Sequence, residues 1–217
     1  MCIRDRPNIT LFRGEGMHPG INGPKFKDKP AIIMAGSGDI ITHQELNELS
    51  NQGAQLFRSL GLKPGDSLAF MMENHKLFFP IAFAAYRSGL KYTAISWRLQ
   101  ASEVEYIVKD CGAKVFITSK FLEESAKSLA NSLQGVHKFM LDGITDDFKS
   151  YEEQINKMPT TPIEDECQGA AMLYSSGTTG KPKGVSREIN LNPLPYKAEE
   201  DDLGLTRVVQ GLYSADE

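Results

Sequence analysis

The residues most suited to chemistry lie together in one segment near the end of the chain. An apolar run, Ala170 to Tyr174, leads into the sequence SSGTTGKPKGV at positions 175 to 185. Glycine allows backbone angles that side chains forbid, so backbone amides can turn toward an anion. The segment combines three glycines with four hydroxyl side chains, namely Gly177, Gly180, Gly184, Ser175, Ser176, Thr178 and Thr179. These groups are suited to holding a polyphosphate.

Residues 175–183 form a segment that we call the Gly-rich loop. Lys183 adds a full positive charge to this loop. A hydrogen bond to a charged group contributes about 1.5–3 kcal/mol. A Walker A loop has a glycine separated by four residues from its Gly-Lys pair and a Ser or Thr directly after the pair. Here Ser175 stands at the first position and Pro182 follows Lys181, which excludes that pattern. A flexible linker is the other alternative, but the apolar run before the loop is untypical of linkers.

The elements upstream of the loop alternate between strand and helix. Apolar runs predict strands at residues 31–34, 68–72, 92–96, 115–118, 138–141 and 170–174. Helical spacing of apolar residues predicts helices over about 43–60, 76–88, 102–111 and 122–133. Two capping boxes are expected to start helices, Thr42 with Glu45 and Ser102 with Glu105. The near-uniform hydrophobicity of 76–88 indicates burial between layers.

This alternation predicts an α/β fold, in which a layered, mostly parallel sheet has helices on its faces. Such sheets bind ligands beyond the carboxyl ends of their strands. We expect three regions: a loose lead-in over residues 1–29, a partial α/β domain over residues 30–185, and a polar tail over residues 186–217. Residues 1–6 are interpreted as non-native. Residues 142–168 hold eight acidic residues and predict a solvated connection with one short helix near Tyr151 to Asn156.

Composition narrows the class of protein. The 217 residues have a net charge of −4 and 41% hydrophobic residues, a globular balance without the basic footprint of a nucleic-acid-binding chain. The longest apolar run, Leu77 to Tyr86, is about half a membrane span and contains Pro80. Three widely spaced cysteines predict a reducing, cytoplasmic compartment, with Cys111 packed in the core. The four histidines have no ligand spacing, so no metal site is expected.

The sequence YSSGTTGKPKGV, residues 174–185, resembles the signature loop of the acyl-adenylate-forming (AMP-binding) superfamily. That superfamily includes acyl- and aryl-CoA synthetases, luciferases and the adenylation domains of peptide synthetases. Weaker similarity extends upstream through KPAII, ITHQELNELSNQGAQLFRSLGLKPGD and residues 72–115, so the resemblance covers roughly Lys29 to Val185. The segment WRLQASEVEYIV is more similar to fatty-acyl or aryl CoA synthetases than to peptide-synthetase domains.

The resemblance implies an acid–thiol ligase that uses ATP, Mg²⁺ and CoA. A carboxylic acid, with a fatty acid favoured, would attack the α-phosphate of ATP and release pyrophosphate, and CoA would then attack the acyl-AMP. The loop residues implied to cover the β- and γ-phosphates are Ser175, Ser176, Gly177, Thr178, Thr179, Gly180 and Lys183. No catalytic residue is assigned, and neither a nucleic acid nor a transmembrane segment is expected.

The family's later motifs, for adenine, ribose and the catalytic lysine, do not follow Val185 in this sequence. We therefore expect the N-terminal part of an acyl-CoA synthetase, inactive by itself. Three alternatives stay open at this point: an aryl-CoA ligase, an adenylation domain that loads a carrier protein, and a non-catalytic structural fragment.

Overall fold

A computed structural model describes residues 18–175, 182–185 and 189. Its helices are α1 Pro19–Phe26, α2 His43–Ser59, α3 Phe78–Arg87, α4 Ala101–Asp110, α5 Glu123–Ala130 and α6 Tyr151–Ile155. Its strands are β1 Pro30–Ile33, β2 Ile40–Thr42, β3 Ser67–Met71, β4 Lys91–Ile95, β5 Ala113–Ser119, β6 His137–Leu141, β7 Lys149–Ser150, β8 Ala170–Ala171, β9 Leu173–Ser175 and β10 Lys183–Val185.

Six strands form one sheet in the order β7-β6-β5-β3-β4-β8, and all of their pairings are parallel. The predicted α/β fold with a parallel sheet is thereby confirmed. The central strand β3 is buried along its whole length, because helices cover both faces of the sheet. Helices α2, α3 and α6 contribute to the core on one face, and α4 and α5 contribute to the core on the other.

The strand order reverses at β3. The chain passes from β3 through α3 to β4 on one side, and then through α4 to β5 on the opposite side of β3. In open α/β sheets this reversal opens a crevice at the carboxyl ends of the strands, where ligands bind. The carboxyl ends of β3, β4 and β5 therefore face the crevice.

One of the two predicted capping boxes is confirmed. The Thr42 hydroxyl accepts from the Glu45 amide at 3.2 Å, and the Glu45 carboxylate accepts from the Thr42 amide at 2.8 Å. The second prediction, Ser102 with Glu105, is wrong because the N-cap of α4 is Gln100, two residues before Ser102. The Gln100 amide donates to Glu103 at 2.9 Å instead, and Glu105 forms an ion pair with Lys109.

The predicted loose lead-in contains helix α1, which corrects the expectation that order begins at Pro30. His18 is the N-cap, where its Nδ1 accepts the Gly20 amide at 3.1 Å, and Pro19 follows in the first turn. The helix packs on α2 at Gly23, where a Cβ would lie 2.8 Å from the Asn47 Cβ. Strand β2, which pairs antiparallel with β1, was not predicted from the sequence.

The acidic connection after β6 is more buried than the sequence indicated. Its short helix, predicted near Tyr151 to Asn156, is confirmed as α6, and Tyr151 and Ile155 pack in the core. Side chains of α2 also bind its backbone carbonyls: Asn51 Nδ2 donates to Thr160 at 2.6 Å, and Gln55 Nε2 donates to Thr161 at 3.0 Å. The connection therefore covers α2, although most of its acidic side chains face solvent.

Candidate nucleotide site

The Gly-rich loop joins the two strands of an antiparallel hairpin, β9 and β10. Ser175 pairs with Lys183, Tyr174 with Gly184 and Leu173 with Val185. Ser175 and Lys183 are thus held opposite each other where the hairpin opens into the loop. Five other predicted site residues lie outside the described residues, namely Ser176, Gly177, Thr178, Thr179 and Gly180. Their part in phosphate binding stays a prediction.

The two predicted site residues that the structure describes, Ser175 and Lys183, lie on the outer face of the hairpin. Directly opposed residues of an antiparallel pair project to the same face, and the face alternates along each strand. Ser175 and Lys183 therefore share a face with Leu173 and Val185, and all four residues are exposed. A hydroxyl and an ammonium group are accordingly presented side by side to solvent, which is an arrangement that suits an anion.

The inner face of the hairpin is docked on the end of α4. The Tyr174 hydroxyl donates to Asp110 Oδ2 at 2.5 Å. A Cβ at Gly184 would lie 2.9 Å from Tyr174 Cζ and 2.5 Å from Met172 Cε. Gly184 is therefore needed because the tyrosine ring passes close to it, whereas the sequence had suggested an unusual backbone angle as the reason.

The segment before the hairpin is bound to the end of α3. The Gly169 amide donates to the Tyr86 carbonyl at 2.6 Å, and the Met172 amide donates to the Tyr92 carbonyl at 2.8 Å. A Cβ at Gly169 would lie 2.4 Å from the Leu90 carbonyl oxygen, so only glycine fits there. These contacts place β8 beside β4 and fix where the hairpin begins.

A buried ion pair, missed from the sequence, holds the same segment. Arg87 Nε lies 2.7 Å from Glu166 Oε1, and both side chains are buried. The N–H is poorly directed at that oxygen, so the contact is an ion pair with weak hydrogen-bond geometry. Burial raises the pKa of Glu166 more than the Arg87 charge lowers it, and burial lowers the pKa of Arg87. Glu166 had seemed to belong to a solvated acidic run, because pairing over this sequence distance leaves no local pattern.

Polar contacts join the carboxyl ends of the neighbouring strands. The Ser119 hydroxyl, at the end of β5, donates to Glu73 at 2.5 Å. His75 Nε2 lies 2.9 Å from Asp142 Oδ2, while its Nδ1 accepts the Leu77 amide at 3.1 Å. The proton of neutral His75 is therefore on Nε2, directed at Asp142. Both ring nitrogens are engaged, so His75 positions the start of α3 and is not available as a base.

An aromatic pair lies at the same edge of the sheet. Trp97 and Phe121 follow β4 and β5, and their ring centroids are 6.0 Å apart in an edge-to-face arrangement. They are 38% and 69% exposed, and the Arg98 guanidinium lies 4.8 Å from the Trp97 ring centroid. Trp97 therefore packs on one side and stays open to solvent on the other.

Within residues 18–175, 182–185 and 189, no group of three His, Cys, Asp or Glu side chains is placed to hold a metal ion. In those same ranges, no helix is both long and apolar enough to cross a membrane.

Comparison with known proteins identifies the family. The family model of the AMP-binding enzyme matches residues 22–190. The chain is 28% identical over 164 residues to the fatty acid–[acyl-carrier-protein] ligase ScoC of Streptomyces coeruleorubidus, covering 72% of this chain and 29% of that protein. It is 30% identical over 158 residues to a feruloyl-CoA synthase of an Amycolatopsis species, covering 71% of this chain and 30% of that protein.

The fold agrees with this match. The anthranilate CoA ligase AuaEII, solved in complex with anthranoyl-AMP, superposes with a TM-score of 0.67 at 23% identity. The match covers 77% of this chain and 34% of that structure. The chain thus spans about a third of the length of each of these three proteins. The family match, which runs through the Gly-rich loop, shows that this chain belongs to the AMP-binding enzymes, a family of adenylate-forming ligases.

Proposed function

We propose that the protein containing this chain activates a carboxylic acid with ATP and transfers the acyl group to CoA in a reducing, cytoplasmic compartment. A carboxylate oxygen attacks the α-phosphorus, the bond to the bridging oxygen breaks, and pyrophosphate leaves. The thiol sulfur of CoA then attacks the acyl carbon, and AMP leaves. The observation that carries the proposal is the hairpin that presents Ser175 and Lys183 together at the ends of the Gly-rich loop, inside the family match.

We assign phosphate binding to Ser175, Ser176, Gly177, Thr178, Thr179, Gly180 and Lys183. Charge grows on the pyrophosphate as it leaves, and donors fixed in advance around it lower the barrier. The exposed ammonium of Lys183 and the hydroxyl of Ser175 fit that role, because no described carboxylate is within ion-pair distance of Lys183. Mg²⁺ would supply further neutralisation of the phosphate charge.

A fatty acid is the favoured substrate, and the relatives define the alternatives. The ScoC relative is a fatty acid–[acyl-carrier-protein] ligase, and the feruloyl-CoA synthase is named for an aromatic acid. Carrier-protein loading and aryl-CoA formation are therefore the competing activities. All three share the adenylation step and differ in the acid or in the thiol that accepts the acyl group.

Pyrophosphate exchange with labelled ATP tests the shared step in the complete gene product that contains this chain. The panel of acids includes fatty, aromatic and amino acids, and the acceptor is CoA or a carrier protein. We expect exchange with fatty acids and transfer to CoA. Absence of exchange with every acid would contradict the proposed function, and transfer only to a carrier protein would replace CoA as the acceptor.

Lys183→Ala tests the assigned loop, with Lys181→Ala as the matched control. Losing about 1.5–3 kcal/mol of phosphate binding corresponds to roughly a ten- to hundredfold slower adenylation. Lys181 lies outside the described residues, and the proline after it leads us to predict from the sequence that it faces solvent, so its removal should change the rate little. Transfer from preformed acyl-AMP starts after pyrophosphate has left and should be unaffected in both variants. A larger loss in Lys181→Ala would show that the wrong lysine is assigned.

A further inference from the structure

The hairpin that carries the Gly-rich loop needs an anchor. An isolated two-stranded hairpin is marginally stable in water, so its orientation depends on what its inner face touches. β9 and β10 pair with each other and are not hydrogen-bonded strands of the main sheet. Their outer residues, Leu173 and Val185, are exposed. The inner face must therefore determine the direction in which the loop points.

Tyr174 is the inner residue that reaches another element. Its ring lies against its cross-strand partner Gly184, so the ring contacts both strands. Tyr174 directly precedes Ser175, and Gly184 directly follows Lys183. Holding the tyrosine therefore holds both ends of the loop at once.

Asp110 receives the hydroxyl of Tyr174 at the last residue of α4. A carboxylate is unfavourable at a helix C-terminus, where the helix dipole is negative, unless donors compensate it. The Tyr174 hydroxyl supplies that compensation, and burial together with the nearby Asp110 charge also raises the pKa of Tyr106. Burial and the Asp110 hydrogen bond both raise the pKa of Tyr174, so the phenol stays protonated and remains a donor.

We propose that Asp110 is a positioning residue, which holds the Tyr174 hydroxyl and thereby positions Ser175 and Lys183, at the two ends of the Gly-rich loop, for adenylation. The proposal rests on the proposed function of that loop. Asp110 touches no substrate. It acts through Tyr174, and its loss leaves the phosphate-binding groups present but less well aligned with the leaving pyrophosphate.

Hydrogen exchange measures the anchoring without any assay of activity. The variants are Tyr174→Phe, which removes only the hydroxyl, and Asp110→Ala. The control is Glu105→Ala, which removes an acid from the same helix whose partner is Lys109. We expect the amides of residues 173–175 and 183–185 to exchange about tenfold faster in the first two variants and at the wild-type rate in the control. Equal exchange of these amides in Tyr174→Phe and in the wild type would overturn the proposal.

Kinetics of the complete gene product then separate positioning from simple loss of structure. We expect Tyr174→Phe and Asp110→Ala to slow pyrophosphate exchange about tenfold and to spare thiol transfer from preformed acyl-AMP. A merely structural loss would reduce both steps by the same factor and would contradict the proposal. In a Lys183→Ala background, Asp110→Ala should add little, because both changes act on the same loop.

The Lys183→Ala and Asp110→Ala variants distinguish a failure of the proposed function from a failure of the positioning role of Asp110. If Lys183→Ala slows exchange and Asp110→Ala does not, the proposed function stands and the positioning role of Asp110 is rejected. If Lys183→Ala has no effect while hairpin exchange depends on Asp110, the anchor exists but the loop is not a phosphate site, and Asp110 then has no role in adenylation.

Discussion

Glu166→Gln should destabilise the fold far more than Asp165→Asn, although the two acids are adjacent and each is paired with an arginine. The Glu166 side chain is 7% exposed and its partner Arg87 is fully buried. The Asp165 side chain is 56% exposed and lies 3.0 Å from Arg58. The comparison therefore isolates burial, because each substitution changes the same atom type and keeps the shape of the side chain.

The magnitude follows from what remains after the change. Arg87 cannot lose its proton, and its described hydrogen-bond acceptors are neutral oxygens of three α2 residues, those of Asn47, Ser50 and Asn51. Breaking a buried pair by removing one partner costs about 3–5 kcal/mol. Because the α2 acceptors and the glutamine oxygen remain, Glu166→Gln should lower the free energy of unfolding by about 3 kcal/mol. Asp165→Asn should cost about 0–1 kcal/mol, as exposed pairs do.

Urea unfolding followed by far-ultraviolet circular dichroism measures both variants. A third variant, Arg87→Met with Glu166→Leu, removes both charges, and replacing a buried pair by apolar residues is often neutral or stabilising. We expect this double variant to be more stable than Glu166→Gln, since burial shifts both pKa values in the unfavourable direction. Equal free energies of unfolding for Glu166→Gln and Asp165→Asn would refute the reasoning.

Three further predictions concern the scaffold. Burial and the nearby Arg87 charge lower the pKa of His18 to about 3, so neutral His18 stabilises the fold above about pH 6.5 and this contribution is lost as pH falls. Between pH 7 and 5 the wild type should lose about 2 kcal/mol more than His18→Gln in urea unfolding, and parallel curves would contradict this. Gly169→Ala forces a Cβ against a backbone carbonyl and should cost about 3 kcal/mol, whereas Gly36→Ala meets no atom within 4 Å and serves as its control in thermal melts. Thr42→Ala removes the cap of α2 and should cost about 1 kcal/mol, and an unchanged melting temperature would show that the cap contributes nothing.

The main sheet was predictable because local patterns specify it. Apolar runs and helical stripes place β3 to β6 and the helices between them within a few residues, and Thr42 starts α2 as its capping box predicts. The burial of α3 also follows from its composition. Each of these features depends on residues close together in the sequence, so one sequence is enough to predict them.

Features that depend on distant contacts were missed. Glu166 is buried beside Arg87, and this pairing could not be predicted because the two residues are far apart in the sequence. The lead-in was too rich in Gly, Pro and Lys to suggest a helix, yet α1 packs on α2 through Gly23. Of the candidate site, Ser175 and Lys183 are found facing each other, and the anchor on Asp110 could not be predicted because α4 and the hairpin are far apart in sequence.

The position of β8 beside β4 has a consequence for folding during synthesis. β8 pairs Ala170 with Lys91, so the edge of β4 has no partner until the chain through Ala171 has emerged. At about 5–20 residues per second, β4 leaves the ribosome about 4–15 seconds before β8 does. An unpaired strand edge invites mispairing with other chains. We expect β4 to be the segment most exposed to aggregation in nascent chains, and docking of β8 to close that edge and set the Gly-rich loop in the same step.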